Sequence, residues 1–204
     1  FYIFMMKKTP YELSHEIDFD NKYKYRCLTP FYGYIKTKGT IVGFVYEFMS
    51  NGTLSEYLAK NKDNTNTIFA YMTMVRIAQG IKYLHSNSLI HRDIKPKNIL
   101  IDHNHIPYLS DFDTIREIED LTSKITHDIG SLIYASPEQH NEETYSFPTD
   151  IYSFGQLIYF IFVKEDNKKG SNLLKSSEEI ENKIPKLIQN IFKACISFEA
   201  KDRP

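Results

Sequence analysis

Apolar and polar positions along this chain follow two periods, and the change from one to the other divides it. Residues 1–6, Phe-Tyr-Ile-Phe-Met-Met, form a short apolar run that reads as a strand. Residues 11–24 carry many charges and helix formers and predict a short helix. Residues 31–35 and 40–46 are rich in β-branched and aromatic side chains, with Lys36-Thr37-Lys38-Gly39 between them, which predicts a hairpin. Ser50-Asn51-Gly52 is a break whose glycine tolerates positive φ, and Thr53 is placed to cap a helix through Leu58.

The period then lengthens. After a polar, Asn-rich loop over 60–67, Phe69, Met72, Val75, Ala78, Ile81 and Leu84 recur at a spacing of three, predicting an amphipathic helix from Ile68 to Ser86 with these residues as its core face. Short strand-like pieces, 99–101 and 108–109, lie within a compact region over 89–113. Residues 114–135 are irregular and polar; a buried helix near 149–163, a charged loop near 164–177 and a helix near 183–197 complete the chain. Strands come first and helices after, the order of an α+β protein with two unequal lobes.

Composition narrows the function classes. The 204 residues are 42% hydrophobic and 25% charged, the balance of a globular protein with a real core. A formal net charge of −1 gives no field to draw the chain onto nucleic acid or an anionic membrane, so neither is expected as a partner. The longest apolar run, Ile151 to Val163, is interrupted by Ser153, Gly155 and Gln156 and falls short of the ~18 residues a membrane span needs. The N-terminal apolar run precedes Lys7 and Lys8 instead of following them, unlike a secretion signal. Cys27 and Cys195 lie far apart in no metal-type spacing, which points to a reducing compartment, cytoplasmic or nuclear. Nothing in the sequence sets the oligomeric state.

The chemistry is concentrated after residue 90. Residues 91–100 read His-Arg-Asp-Ile-Lys-Pro-Lys-Asn-Ile-Leu, and 110–113 read Ser-Asp-Phe-Asp. Further on stand Gly130-Ser131-Leu132-Ile133-Tyr134-Ala135-Ser136-Pro137-Glu138, then Thr149-Asp150-Ile151-Tyr152-Ser153-Phe154-Gly155, and finally Lys201-Asp202-Arg203-Pro204. This ordered set resembles the eukaryotic protein kinase domain, of the serine/threonine type and the branch similar to tyrosine kinases. Upstream, Val45-Tyr46-Glu47-Phe48-Met49-Ser50-Asn51-Gly52-Thr53-Leu54 looks like the hinge between kinase lobes.

The resemblance implies a bilobal kinase-like fold: a partial, β-rich N-lobe over 1–48 and a mostly helical C-lobe over 49–204 that lacks the last helix. It implies ATP and Mg2+ as cofactors and protein serine or threonine hydroxyls as acceptors. Asp93 would orient the attacking hydroxyl, Lys95 would offset charge on the phosphoryl group, and Asn98 and Asp111 would hold the metal. Glu47 and Met49 would meet the adenine edge through their backbones, Tyr46 would stand as a bulky residue at the back of the cleft, and Leu54 and Leu100 would lie under the ring. Thr53 and Glu16, the latter in the place of the upper-helix glutamate, complete the candidate nucleotide site. His91, Arg92, Phe112, Ser131, Glu138, Asp150 and Arg203 would be structural or regulatory: Phe112 under the upper helix, Asp150 accepting backbone N–H groups of the catalytic loop, and Arg203 paired with Glu138. Thr122, Ser123 and Thr126 are candidate phosphorylation sites that would face Arg92.

The departures are specific. Asp113 stands where the family has a glycine that needs positive φ or freedom to flip, so backbone strain is expected there. Asp20 occupies a position that is usually apolar. Phe4 falls where the family's strand lysine would stand, Lys7 and Lys8 are too close to Glu16 to replace it, and no Gly-x-Gly-x-x-Gly occurs, so the upper lobe is expected to be truncated or degenerate. A second reading follows from Phe4, Asp20 and Asp113: a pseudokinase that acts as a protein-binding scaffold or allosteric regulator. Retention of Asp93, Lys95, Asn98 and Asp111 opposes it.

Overall fold

β1 (Tyr2–Met5), β2 (Phe31–Thr37) and β3 (Thr40–Tyr46) form an antiparallel sheet in the order β1-β3-β2. The computed structural model describes residues 2–5, 19–61, 66–118, 133–140, 146–164 and 183–204. The β2–β3 hairpin closes through Lys38 and Gly39, at φ 51° and 84°. Positive φ at both loop residues is the twist-matched geometry of a two-residue hairpin, so the turn predicted over 36–39 contracts to its last two residues. Phe44, fully buried on β3, is flanked by the rings of Phe31 and Tyr46. Of the helix predicted over 11–24, a helical turn over 19–22 lies within the described residues.

Residues 27–29 then tie the chain to the larger part of the molecule. Leu109 donates its N–H to the Cys27 carbonyl (2.8 Å), and Thr29 donates its N–H to the Leu109 carbonyl (2.9 Å). β3 leads through the hinge into α1 (Leu54–Lys60), which Thr53 and Glu56 start with reciprocal hydrogen bonds. Gly52 precedes them at φ 70°, and a Cβ there would lie 2.4 Å from Glu56 Oε2. The glycine thus serves both the turn and the cap.

α2 (Thr67–Ser86) begins on Asn66, whose Oδ1 accepts the Ile68 N–H at 2.7 Å. Its buried face is Phe69, Ala70, Thr73, Met74, Ile77, Gly80, Ile81 and Leu84. This corrects the predicted face: Val75 is 55% exposed, and Met72 and Ala78 are only partly buried. A strict spacing of three drifts round a helix of 3.6 residues per turn, so only the ends of the predicted set stay on the core side.

The polypeptide next makes two small antiparallel pairs. β4 (Leu89–Ile90) pairs with β7 (Arg116–Glu117), and β5 (Ile99–Ile101) with β6 (Pro107–Leu109). α3 (Pro137–His140), α4 (Phe147–Val163) and α5 (Lys186–Cys195) follow. α4 is buried nearly all round, as its apolar run requires, and Lys164 ends it in the left-handed conformation at φ 60°. α5 packs on α4 where Gly155 lets the backbones approach: a Cβ there would lie 2.6 Å from Ile196 Cγ2 and 2.9 Å from Cys195 Cβ. Leu58, Ile77, Leu84, Ile94, Leu109 and Leu157 belong to the one apolar cluster that α1, α2, α4 and the small strands share. No helix among the described residues is long and apolar enough to cross a membrane.

Candidate active site

Asp150, in the first turn of α4, is fully buried and organises the loop after β4. Its Oδ2 accepts the His91 N–H (2.9 Å) and its Oδ1 the Arg92 N–H (2.8 Å). His85 Nε2, in the last turn of α2, lies 2.8 Å from Oδ2, and its ring packs at a tilt against Phe147 with centroids 4.6 Å apart. A buried carboxylate is tolerable only when so satisfied. Thr114 closes the other side of the loop: its hydroxyl donates to the His91 carbonyl (2.7 Å), and its carbonyl accepts from Arg92 Nε (2.6 Å). Between these anchors Arg92 holds φ 69°, a left-handed conformation that costs a non-glycine residue about 1–2 kcal/mol.

The next residue carries the chemistry. Asp93 Oδ2 accepts a hydrogen bond from Asn98 Nδ2 at 2.8 Å and meets Lys95 Nζ at 2.6 Å. Asn98 Nδ2 also donates to the Asp93 carbonyl at 2.9 Å. The 3-10 turn Pro96–Asn98 swings Asn98 back over Asp93. Ser110 then docks on Asn98: its N–H and its hydroxyl both donate to the Asn98 carbonyl, at 2.9 and 2.8 Å. Asp111 is the next residue, and its carboxyl feels the charges of both Asp93 and Lys95.

Asp111 itself is exposed. Its carboxyl is raised above its ordinary value, first by loss of solvation, then by the charges of Asp113 and Asp93; His91 and Lys95 oppose the rise. Phe112 is buried behind it, between the rings of Phe19 (4.9 Å) and His91 (6.0 Å). The expected strain at Asp113 is absent. The positive φ falls on Asp111, at 65°, and Asp113 lies exposed in the 3-10 turn Phe112–Thr114. The aspartate in the glycine place therefore has no left-handed backbone to sustain.

At the hinge, Glu47 gives its N–H to the Pro30 carbonyl (2.9 Å), and the Met49 carbonyl accepts the Gly52 N–H (2.9 Å). The Glu47 side chain accepts a hydrogen bond from the Tyr32 hydroxyl. The Tyr46 hydroxyl donates to Asp20 Oδ2 at 2.6 Å, and Asp20 is buried. A polar residue at this usually apolar place is thus answered by a polar residue on β3. Leu100 is half-buried on β5, whereas Leu54 is fully buried in the core, which leaves it no surface for direct contact with a nucleotide. The Thr53 hydroxyl is engaged with Glu56 in the α1 cap.

Glu138 and Arg203 meet through Oε1–Nη1 at 2.6 Å and Oε2–Nη2 at 2.9 Å. Burial pushes the Glu138 carboxyl up, but hydrogen bonding and charge from Arg203, with a backbone N–H, pull it down further, and it stands below its ordinary value. The Arg203 guanidinium also lies over the Tyr152 ring, 5.0 Å from its centroid. Glu16, Ser131, Thr122, Ser123 and Thr126 lie outside the described residues, as do Lys7 and Lys8. Sequence reasoning missed His85, Thr114 and Ser110. Only His85 left a signal, a histidine in a last helical turn.

Residues 4–204 match the family model described as protein tyrosine and serine/threonine kinase. A probable serine/threonine-protein kinase of Dictyostelium discoideum is 30% identical over 90% of this chain and 11% of its own length. The interferon-induced, double-stranded RNA-activated protein kinase of Mus musculus is 28% identical over 95% of this chain and 36% of its own. A serine/threonine-protein kinase of Arabidopsis thaliana is 29% identical over 72% of this chain and 25% of its own. The chain thus spans between about a tenth and a third of the length of these curated relatives. With a match over nearly its whole length, and with the ordered loops described above, the chain belongs to the protein tyrosine and serine/threonine kinase family.

Proposed function

We propose that this domain transfers the γ-phosphoryl group of ATP to serine or threonine hydroxyls of protein substrates. The observation that carries the reading is the sharing of Asp93 Oδ2 between Asn98 and Lys95, at 2.8 and 2.6 Å, one residue beyond a loop pinned to Asp150. Phosphoryl transfer asks a protein chiefly for positioning and charge neutralisation. In this reading Asp93 accepts the hydrogen bond, and then the proton, of the attacking hydroxyl. Lys95, already beside it, faces the negative charge of the moving group.

The donor set fits a divalent cation. Asn98 offers a carboxamide oxygen and Asp111 a carboxylate, both hard donors, and the Asp111 carboxyl is raised first by loss of solvation and then by the neighbouring charges of Asp113 and Asp93. Asn98 and Asp111 would hold Mg2+, which neutralises charge on the nucleotide phosphates when bound. In this reading the Glu47 carbonyl and the Met49 N–H meet the adenine edge, with half-buried Leu100 below it. In this reading the N-lobe runs to residue 48 and the C-lobe begins at 49. Acceptor class follows from Lys95 in the catalytic loop and from the serine/threonine kinases among the relatives. The two cysteines, both buried free thiols, fit a reducing, cytoplasmic setting.

The test is Asp93→Asn in the full-length protein, with transfer from labelled ATP to a generic serine/threonine substrate as the readout. A positioned general base contributes about 10²–10⁴-fold, and a loss of that size with the fold intact is expected. Undiminished transfer would refute the assignment.

A further inference from the structure

We propose that Gln139 is a positioning residue: it sets the peptide group that aims Asp93 and so couples the 133–140 segment to the proposed proton acceptor. The inference rests on the function proposed above. Gln139 lies in α3 and is 4% exposed. Its carboxamide turns back along the chain and uses both ends. Oε1 accepts the Ser136 N–H at 2.7 Å, and Nε2 donates to the Arg92 carbonyl at 3.4 Å.

The second contact matters because of where that carbonyl sits. The Arg92 carbonyl and the Asp93 N–H belong to one rigid peptide plane, so a partner on the carbonyl restrains the torsions that direct the Asp93 side chain. The Arg92 N–H, on the other side of the residue, is held by Asp150 Oδ1 at 2.8 Å. A non-glycine residue at φ 69° keeps that conformation when its surroundings over-determine it. Asp150 and Gln139 grip the two ends of the residue, the first from α4 and the second from α3. Gln139 therefore gives movement of the 133–140 segment a direct route to the Arg92–Asp93 peptide.

The role needs a donor and an acceptor on the same side chain. Glutamate keeps the acceptor for Ser136 and turns a negative oxygen towards the Arg92 carbonyl; methionine keeps the volume and loses both. Gln139→Glu and Gln139→Met are made in the full-length protein. The measurements are kcat, the KM for ATP, the thermal midpoint and amide hydrogen exchange over 91–94. Misplacing a reacting group lowers turnover without touching distant nucleotide contacts, so kcat should fall about tenfold in Gln139→Glu with KM within about twofold. Exchange over 91–94 should quicken while that of α4 stays as in the wild type. A purely structural role would lower the midpoint alone. Unchanged kcat and unchanged exchange in Gln139→Glu overturn the proposal, even if Gln139→Met fails to fold. If the wild type transfers no phosphate, the proposed function fails, and exchange over 91–94 still decides whether Gln139 holds the loop.

Discussion

Arg203 and Glu138, 65 positions apart, form a two-bond ion pair that joins the end of the chain to the segment before α4. Arg203 adds hydrogen bonds to the carbonyls of Pro148, Ser197 and Phe198, so its guanidinium is held from several sides. Removing one partner of a buried pair leaves the other charged and unanswered. Arg203→Leu should therefore destabilise the protein by ~3–5 kcal/mol, read as a lowered urea midpoint at unchanged slope.

The same pair gives a pH signature. Glu138 is depressed in the folded protein, so its contribution to stability is full above its unfolded value, about 4.3. That contribution is lost as pH falls from there through the folded value. Stability of the wild type relative to Glu138→Gln should drop across that acid window and stay flat above it. A difference that varies between pH 6 and 8 would assign the effect to another group.

Asp111 behaves in the opposite sense. A carboxyl raised on folding costs nothing where both states are protonated, and its penalty grows as pH rises from the ordinary value of about 3.9 through the folded value. Asp111→Asn should consequently be more stable than the wild type at neutral pH without ligand, and the gain should vanish in acid. Denaturant titrations at pH 3.5 and 7.5 check this. Such a cost is the usual mark of a site built for a ligand.

Gly155 carries a packing prediction. Its missing Cβ is the space occupied by Ile196 and Cys195. Gly155→Ala should push α5 away from α4 and destabilise by ~1–3 kcal/mol, despite the better helix propensity of alanine. A thermal midpoint equal to or above that of the wild type would contradict the close approach.

How much of this was legible in the sequence depended on how far apart the interacting residues lie. The loop from His91 to Leu100 packs its roles into ten consecutive positions, so residue type and spacing together announce it. The Lys38-Gly39 turn and the Thr53–Glu56 cap are local for the same reason. The α2 face was misassigned because a count of three approximates 3.6 only over short distances, and Val75 is where the error shows. The pairing of Asp20 with Tyr46, of His85 with Asp150 and of Gln139 with Arg92 crosses between elements, and no local pattern records it. Asp113 was judged by the glycine it replaces, whereas the backbone places its left-handed residue two positions earlier.

The role proposed for Asn98 and Asp111 is to hold a divalent ion on a nucleotide beside Asp93. It is tested most directly by calorimetric binding of ATP with and without Mg2+, to the wild type and to Asp111→Asn. Mg2+ should tighten binding to the wild type by at least about tenfold and do little for the variant, since a carboxamide in place of the carboxylate removes the charge the ion needs. Equal affinities with and without Mg2+ in the wild type, or the same Mg2+ dependence in both proteins, would contradict the account.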